Sequence, residues 1–173
     1  DMISFAQETY KDCTWFMPRN PDDKDYLPNS MDTLSKVHKA IAIMQFKLEG
    51  QLIKRHPEYR MDDRVLLEAI DYDNMTVAID GVRYLLNDRH FPTIDPADPC
   101  ALSVAERKLM ETLRRAFLRS ERLQEHVAFL YSHGSMYLKY NQNLLFHGCI
   151  PMDEAGGFRV FRAADGRTYS GRA

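Results

Sequence analysis

An α+β chain is what this sequence predicts, and three patterns predict it. Apolar residues recur at helical spacing in two long stretches, 32–56 and 103–134. Asp80-Gly81 lies between two β-prone runs, and beyond Gly134 the period changes from helical to extended. Three segments follow: an irregular connecting segment over 1–31, a mainly helical segment over 32–134 with a hairpin at 76–86, and a β segment over 135–173.

Residues 1–31 mix Trp15, Phe16 and Tyr26 with Pro18, Pro21 and Pro28, which favours an irregular path docked by its aromatics, with a short helix around Ile3–Tyr10 at most. From Asp32, the residues Leu34, Val37, Ile41, Met44, Leu48 and Leu52 define one helical face. The helix should stop near His56, because Pro57 pushes the residue before it out of the helical region. Lys36, Lys39, Lys47, Lys54 and Arg55 then read as the solvated side of that helix. A short helix is expected over Asp62–Ile70, with Val65, Leu66 and Ala69 turned inward.

Thr76–Ile79 and Val82–Leu86 flank Asp80-Gly81, whose residues accept the positive φ angles of a type I′ turn. The prolines 92, 96 and 99 keep 87–99 irregular. Ser103 followed by Glu106 is a capping-box signature, opening a single helix that runs almost to Gly134. Ser135–Tyr140 and Asn143–Phe146 form a hairpin around Asn141-Gln142, and Phe158–Phe161 pairs with Thr168–Tyr169 around Asp165-Gly166.

Composition narrows the function classes. The 173 residues are 45% hydrophobic and 28% charged with a net charge of -2, the profile of a globular protein without the basic surplus that recruits nucleic acid. No apolar run is long enough to span a bilayer, and no leader pattern stands at the N-terminus, so a cytoplasmic setting and no membrane partner are expected. Cys13, Cys100 and Cys149 are odd in number and far apart, which fits neither a disulfide framework nor a zinc site. Both ends, Asp1-Met2-Ile3-Ser4 and Ser170-Gly171-Arg172-Ala173, read as cuts, so an internal fragment is expected.

Chemistry concentrates at Asn143-Leu144-Leu145-Phe146-His147-Gly148-Cys149-Ile150-Pro151, where an apolar strand runs out into His147. Strand ends hold catalytic and metal-binding groups because the sheet fixes them while loops admit substrate. An imidazole is a common ligand of first-row metals, and Gly148 leaves the backbone clear for an ion. Taken alone, the local pattern favours the plainer reading of a histidine hydrogen-bonded to loop backbone.

Three longer stretches carry a resemblance. They are Val37-His38-Lys39-Ala40-Ile41-Ala42-Ile43-Met44-Gln45-Phe46-Lys47-Leu48-Glu49-Gly50-Gln51 with Ile53-Lys54-Arg55-His56-Pro57-Glu58, then Phe91-Pro92-Thr93-Ile94-Asp95-Pro96, then Tyr131-Ser132-His133-Gly134-Ser135-Met136-Tyr137-Leu138 through His147-Gly148-Cys149-Ile150-Pro151-Met152-Asp153-Glu154. Together they resemble the class III fructose-1,6-bisphosphatases of bacteria over most of 36–154, with 1–30 and 155–173 matched loosely. Asn141-Gln142 departs from the family's usual Asn-Gly.

The resemblance implies a calcineurin-like metallophosphatase core into which 32–134 is inserted and to which 135–173 contributes strands. It implies a dinuclear site, with manganese the expected ion, that hydrolyses fructose 1,6-bisphosphate in gluconeogenesis. Two ions about 3.5–4 Å apart would activate a water for in-line attack on phosphorus. His147 is the one position matching a ligand motif of that superfamily, and the family's other ligand motifs do not occur in this chain. The fragment alone is therefore expected to be inactive, with an open strand edge that can pair two copies. A rival reading is a non-catalytic helical module that binds a partner protein.

Several look-alikes have plainer readings. Asp88-Arg89-His90 spells an Asp-x-His ligand motif, but it lies in a proline-rich connection rather than at a strand end. His126 and His133 suit a helix surface, Cys149 suits packing rather than nucleophilic chemistry, and Asp153 and Glu154 read as turn acids.

Overall fold

The computed structural model describes residues 1–13, 15–16, 28–135, 137–148, 151–163 and 165–170. The expectations placed on Pro18, Pro21, Tyr26 and Cys149 fall outside them. The chain is mixed helix and small antiparallel sheets, as the α+β reading expects, and divides into two compact units, Asp1–Arg115 and Ala116–Ala173.

In the first unit, α1 (Met2–Thr9) is opened by Asp1, whose carboxylate accepts the Ser4 N–H at 2.9 Å. Its apolar side packs on α2 (Pro28–Arg55), forming a core of Ala6, Tyr10, Cys13, Ala40 and Ile43 with Phe5, Val37, Phe91 and Ile94 against it. Phe16 joins this cluster, whereas Trp15 is 61% exposed, so only one of the two aromatics docks. The stop of α2 at Arg55 falls where Pro57 requires it.

The buried face of α2 is rotated from the expected stripe. Ile41 and Leu52 are 43% and 44% exposed, while Met31, Ser35, Lys39, Ala40, Ile43, Met44, Lys47 and Ile53 are buried. Lys39 and Lys47 therefore do not belong to a solvated side. Lys39 Nζ donates to both Asp88 oxygens, at 2.7 and 2.8 Å, and to the His90 carbonyl, and lies 5.7 and 5.5 Å from the Tyr10 and Phe91 ring centres. Lys47 Nζ donates to Glu106 Oε2 at 2.8 Å and to the Thr93 carbonyl at 2.5 Å. Two ammonium groups thus tie the proline-rich connection and Glu106 to α2, because each buried cation needs a full set of acceptors.

Beyond α2 the chain makes 3-10 turns at Pro57–Tyr59 and Asp62–Arg64 in place of the expected helix over 62–70. Val65 and Leu67 are buried and Leu66 is exposed, an alternation that a helix face would not give. Ile70–Asp71 then forms β1, pairing with β2 (Thr76–Ile79), which pairs with β3 (Val82–Leu85) in an antiparallel sheet. Asp80 and Gly81 both have positive φ, 49° and 77°, as a type I′ turn requires.

The capping box forms as read: Ser103 N–H donates to Glu106 Oε2 at 2.7 Å, and Glu106 N–H to Ser103 Oγ at 3.2 Å. The single long helix that was expected is two, α3 (Val104–Arg119) and α4 (Glu121–His133). Ser120 separates them with an extended ψ of 99° and accepts the Leu123 N–H at 3.3 Å. A serine at this place offers the backbone an N-cap that competes with helix continuation. Gly134 ends α4, though with φ -72° rather than a left-handed angle, and a Cβ there would collide with the Leu130 carbonyl oxygen. Space rather than φ makes glycine fit there.

The second unit continues with β4 (Tyr137–Tyr140) and β5 (Asn143–Phe146), then the short pair β6 (Phe161–Arg162) and β7 (Thr168–Tyr169). None of its described residues is buried. No helix of the described residues is long and apolar enough to cross a membrane.

Candidate functional site

Hairpin β4–β5 positions the candidate imidazole. The register pairs Tyr137 with Phe146 and Tyr140 with Asn143, and the turn residues Asn141 and Gln142 both take positive φ, 45° and 65°. Asparagine tolerates that conformation, whereas glutamine pays the Cβ clash that a glycine would avoid.

His147 follows β5 directly and is exposed, and a Cβ placed on Gly148 would meet nothing within 4 Å. The chain thus puts an accessible imidazole beside open backbone at a strand end. One imidazole does not make a metal centre. Among the described residues, no group of three or more histidine, cysteine, aspartate or glutamate side chains is gathered that could hold an ion. The residues described here do not by themselves fit a dinuclear site.

The other candidates have structural partners. Asp88 is the counter-ion of buried Lys39 and also accepts the His90 N–H at 3.0 Å, which accounts for the Asp-x-His spelling. Asp153 closes its own turn by accepting the Ala155 and Gly157 N–H groups at 3.0 and 2.7 Å. His133 stacks on Phe129 with ring centres 4.5 Å apart and shares a 2.8 Å contact with the Ser132 hydroxyl, while His126 is exposed.

The most constrained polar groups were missed by hydropathy. Tyr10 Oη lies 3.1 Å from Thr93 Oγ1, Thr93 receives Lys47, and Lys47 meets Glu106, whose second oxygen Oε1 is buried without a partner among the described residues. Burial pushes the Tyr10 phenol up to about 12, against the lowering effect of its Thr93 contact. The available signal was the four-residue spacing of Met31, Ser35, Lys39, Ile43 and Lys47, which places both lysines on the face of the core residues.

Comparison with known proteins gives the chain its class. The family described as Firmicute fructose-1,6-bisphosphatase matches residues 1–173, and this chain belongs to that family. It is 50% identical to the fructose-1,6-bisphosphatase class 3 of Alkaliphilus metalliredigens over 99% of its own length and 26% of that protein's. It is 48% identical to the Clostridium novyi protein of the same name and 49% to one from Listeria monocytogenes, covering 26% of each. The chain spans about a quarter of the length of the curated relatives it matches. The similarity includes both ends, 1–30 and 155–173, where the motifs alone gave only a loose match. No solved structure matches the chain.

Proposed function

We propose that the chain is one segment of a longer cytoplasmic fructose-1,6-bisphosphatase that converts fructose 1,6-bisphosphate to fructose 6-phosphate and phosphate in gluconeogenesis. The observation that carries this reading is family membership over residues 1–173 in a chain that spans a quarter of its relatives. Within it, His147 supplies one imidazole to a dinuclear, manganese-dependent site whose remaining ligands lie outside these residues. To do so the ring must be free of other partners, which its exposed place after β5 permits.

Hairpin β4–β5 then joins the sheet of a calcineurin-like core. Two strands alone are marginally stable in water, and Leu138, Leu144, Leu145 and Phe146 are exposed apolar groups that such a core would cover. In the isolated chain the same uncovered edge favours pairing between two copies.

The test is a hydrolysis assay with fructose 1,6-bisphosphate and Mn²⁺ on the 173-residue chain beside the longer protein. Turnover by the longer protein and none by the chain is expected. Sustained hydrolysis by the chain alone would sink the proposal.

A further inference from the structure

Between α2 and the β1–β2–β3 sheet the first unit leaves a half-open cavity of about 280 Å³. Phe46 of α2, Leu66, Val77, Ile79, Leu86 and Phe91 line it. Its wall carries one ion pair, Lys39 with Asp88, and that pair is spent. The ammonium donates to both carboxylate oxygens and to the His90 carbonyl, and Asp88 also accepts the His90 N–H. Among the described lining residues no charged group is left to hold a polar ligand. Water in such a space has few partners, and an empty apolar void forfeits the contacts of a close-packed interior.

The cavity opens onto an uncovered apolar face. Leu66 and Ile79 line it and are still 39% and 48% exposed. Register extends that face across β3, since residues directly opposite on antiparallel strands share a side: Val82 pairs with Ile79, and Tyr84 with Val77. Val82 and Tyr84 are both about half-exposed. Thr76, Ala78, Arg83 and Leu85 take the other side, where Arg83 reaches Asp71 at 3.3 Å. The sheet thus puts four apolar side chains on the side of a cavity that α2 does not fill. Contiguous apolar surface of this kind marks a contact site.

We propose that an apolar segment of the longer protein, from outside residues 1–173, docks on this face and fills the cavity with aromatic or branched aliphatic side chains. The wall sets that chemistry, being apolar with its charges already paired. The relatives set the source: the chain spans about a quarter of their length, so most of the polypeptide around it is tethered to it. A tethered segment meets the face at an effective concentration on the order of millimolar, which a second copy in dilute solution does not reach. The docking rests on the chain being one segment of a longer protein, as proposed above, and not on that protein's hydrolytic activity.

The experiment is hydroxyl-radical footprinting of the longer protein, read by mass spectrometry at Leu66, Ile79 and Tyr84, beside its hydrolysis assay. All three should be oxidised at least about tenfold more slowly than in the corresponding free peptides, and equally so after about hundredfold dilution, because a covered side chain is out of reach of water. Tyr84 is half-exposed in this unit, so Y84D leaves the unit itself intact but sets a charge in the docked face. It should raise the oxidation of Leu66 and Ile79 at least about threefold. Oxidation at the level of half-exposed side chains, protection lost on dilution as a second copy would give, or no response to Y84D would overturn the proposal. Protection without hydrolysis would support the docking and count against the activity alone.

Discussion

Lys47 and Glu106 meet with both side chains at 0% exposure, so neither charge has water to fall back on. Removing one partner strands the other in a low-dielectric interior. K47M is expected to lower unfolding stability by about 3–5 kcal/mol, and K47M/E106M to recover part of that loss, since a paired charge and its apolar replacement differ far less than a broken pair. Urea denaturation measures both, and a K47M variant as stable as wild type contradicts the pairing. Hydropathy hid these residues because lysine is an exposed residue by composition, and only its acceptors, Asp88 and Glu106, far along the chain, reverse that. Tyr10 and Tyr72 supply a pH test, as burial pushes both phenols up to about 12. A phenol becomes charged on losing its proton, so a raised folded pKa gives stability that is present below the unfolded value of about 10 and is lost between about 10 and about 12. Stability should therefore fall through that window, with a late ionisation step at 295 nm accompanying unfolding; a flat stability profile from pH 9 to 12 argues against the burial.

Elements were legible where local chemistry decides them. The Asp80-Gly81 turn, the Ser103/Glu106 capping box and the stop before Pro57 need only neighbouring residues, and all three form. Where two local preferences compete, the pattern misled: the apolar spacing across Ser120 promised one helix, but the serine caps a second one. The β4–β5 hairpin shows the same competition unresolved, with Gln142 held at φ 65°. Q142G should stabilise the hairpin by about 0.5–1 kcal/mol, the cost of a non-glycine residue in a left-handed conformation less glycine's greater entropy when unfolded. Thermal unfolding of the chain checks it, and a destabilised Q142G would contradict the turn assignment. Gly50 carries the opposite sign. Alanine normally favours a helix interior by about 1 kcal/mol, yet the Cβ would stand 2.5 Å from Cys100 Sγ, so G50A is expected to destabilise. Overpacking costs of about 1–3 kcal/mol outweigh the propensity gain, and a G50A protein more stable than wild type would show that α2 and the Cys100 segment do not approach so closely.

Across the whole chain, burial is uneven. Residues 1–115 own two apolar clusters, whereas no described residue from 116 onward is buried. Hydrogen exchange on the isolated chain should therefore protect the α2 amides strongly and those of β4 and β5 hardly at all; uniform protection would mean that the second unit has a cover of its own. This unevenness also explains how the sequence could name a function without exhibiting a site. Long family-like runs survive in a segment, but a metal centre is assembled from strands far apart in sequence, and among the described residues no three candidate ligand side chains gather. The direct measurement is metal content and fructose 1,6-bisphosphate hydrolysis of the longer protein carrying H147A, beside H133A as a control. The account predicts that H147A loses bound Mn²⁺ and at least about a hundredfold in kcat, since losing even an outer partner of a metal ligand costs about 10- to 100-fold, with H133A unchanged. Full metal occupancy and wild-type turnover in H147A would contradict it.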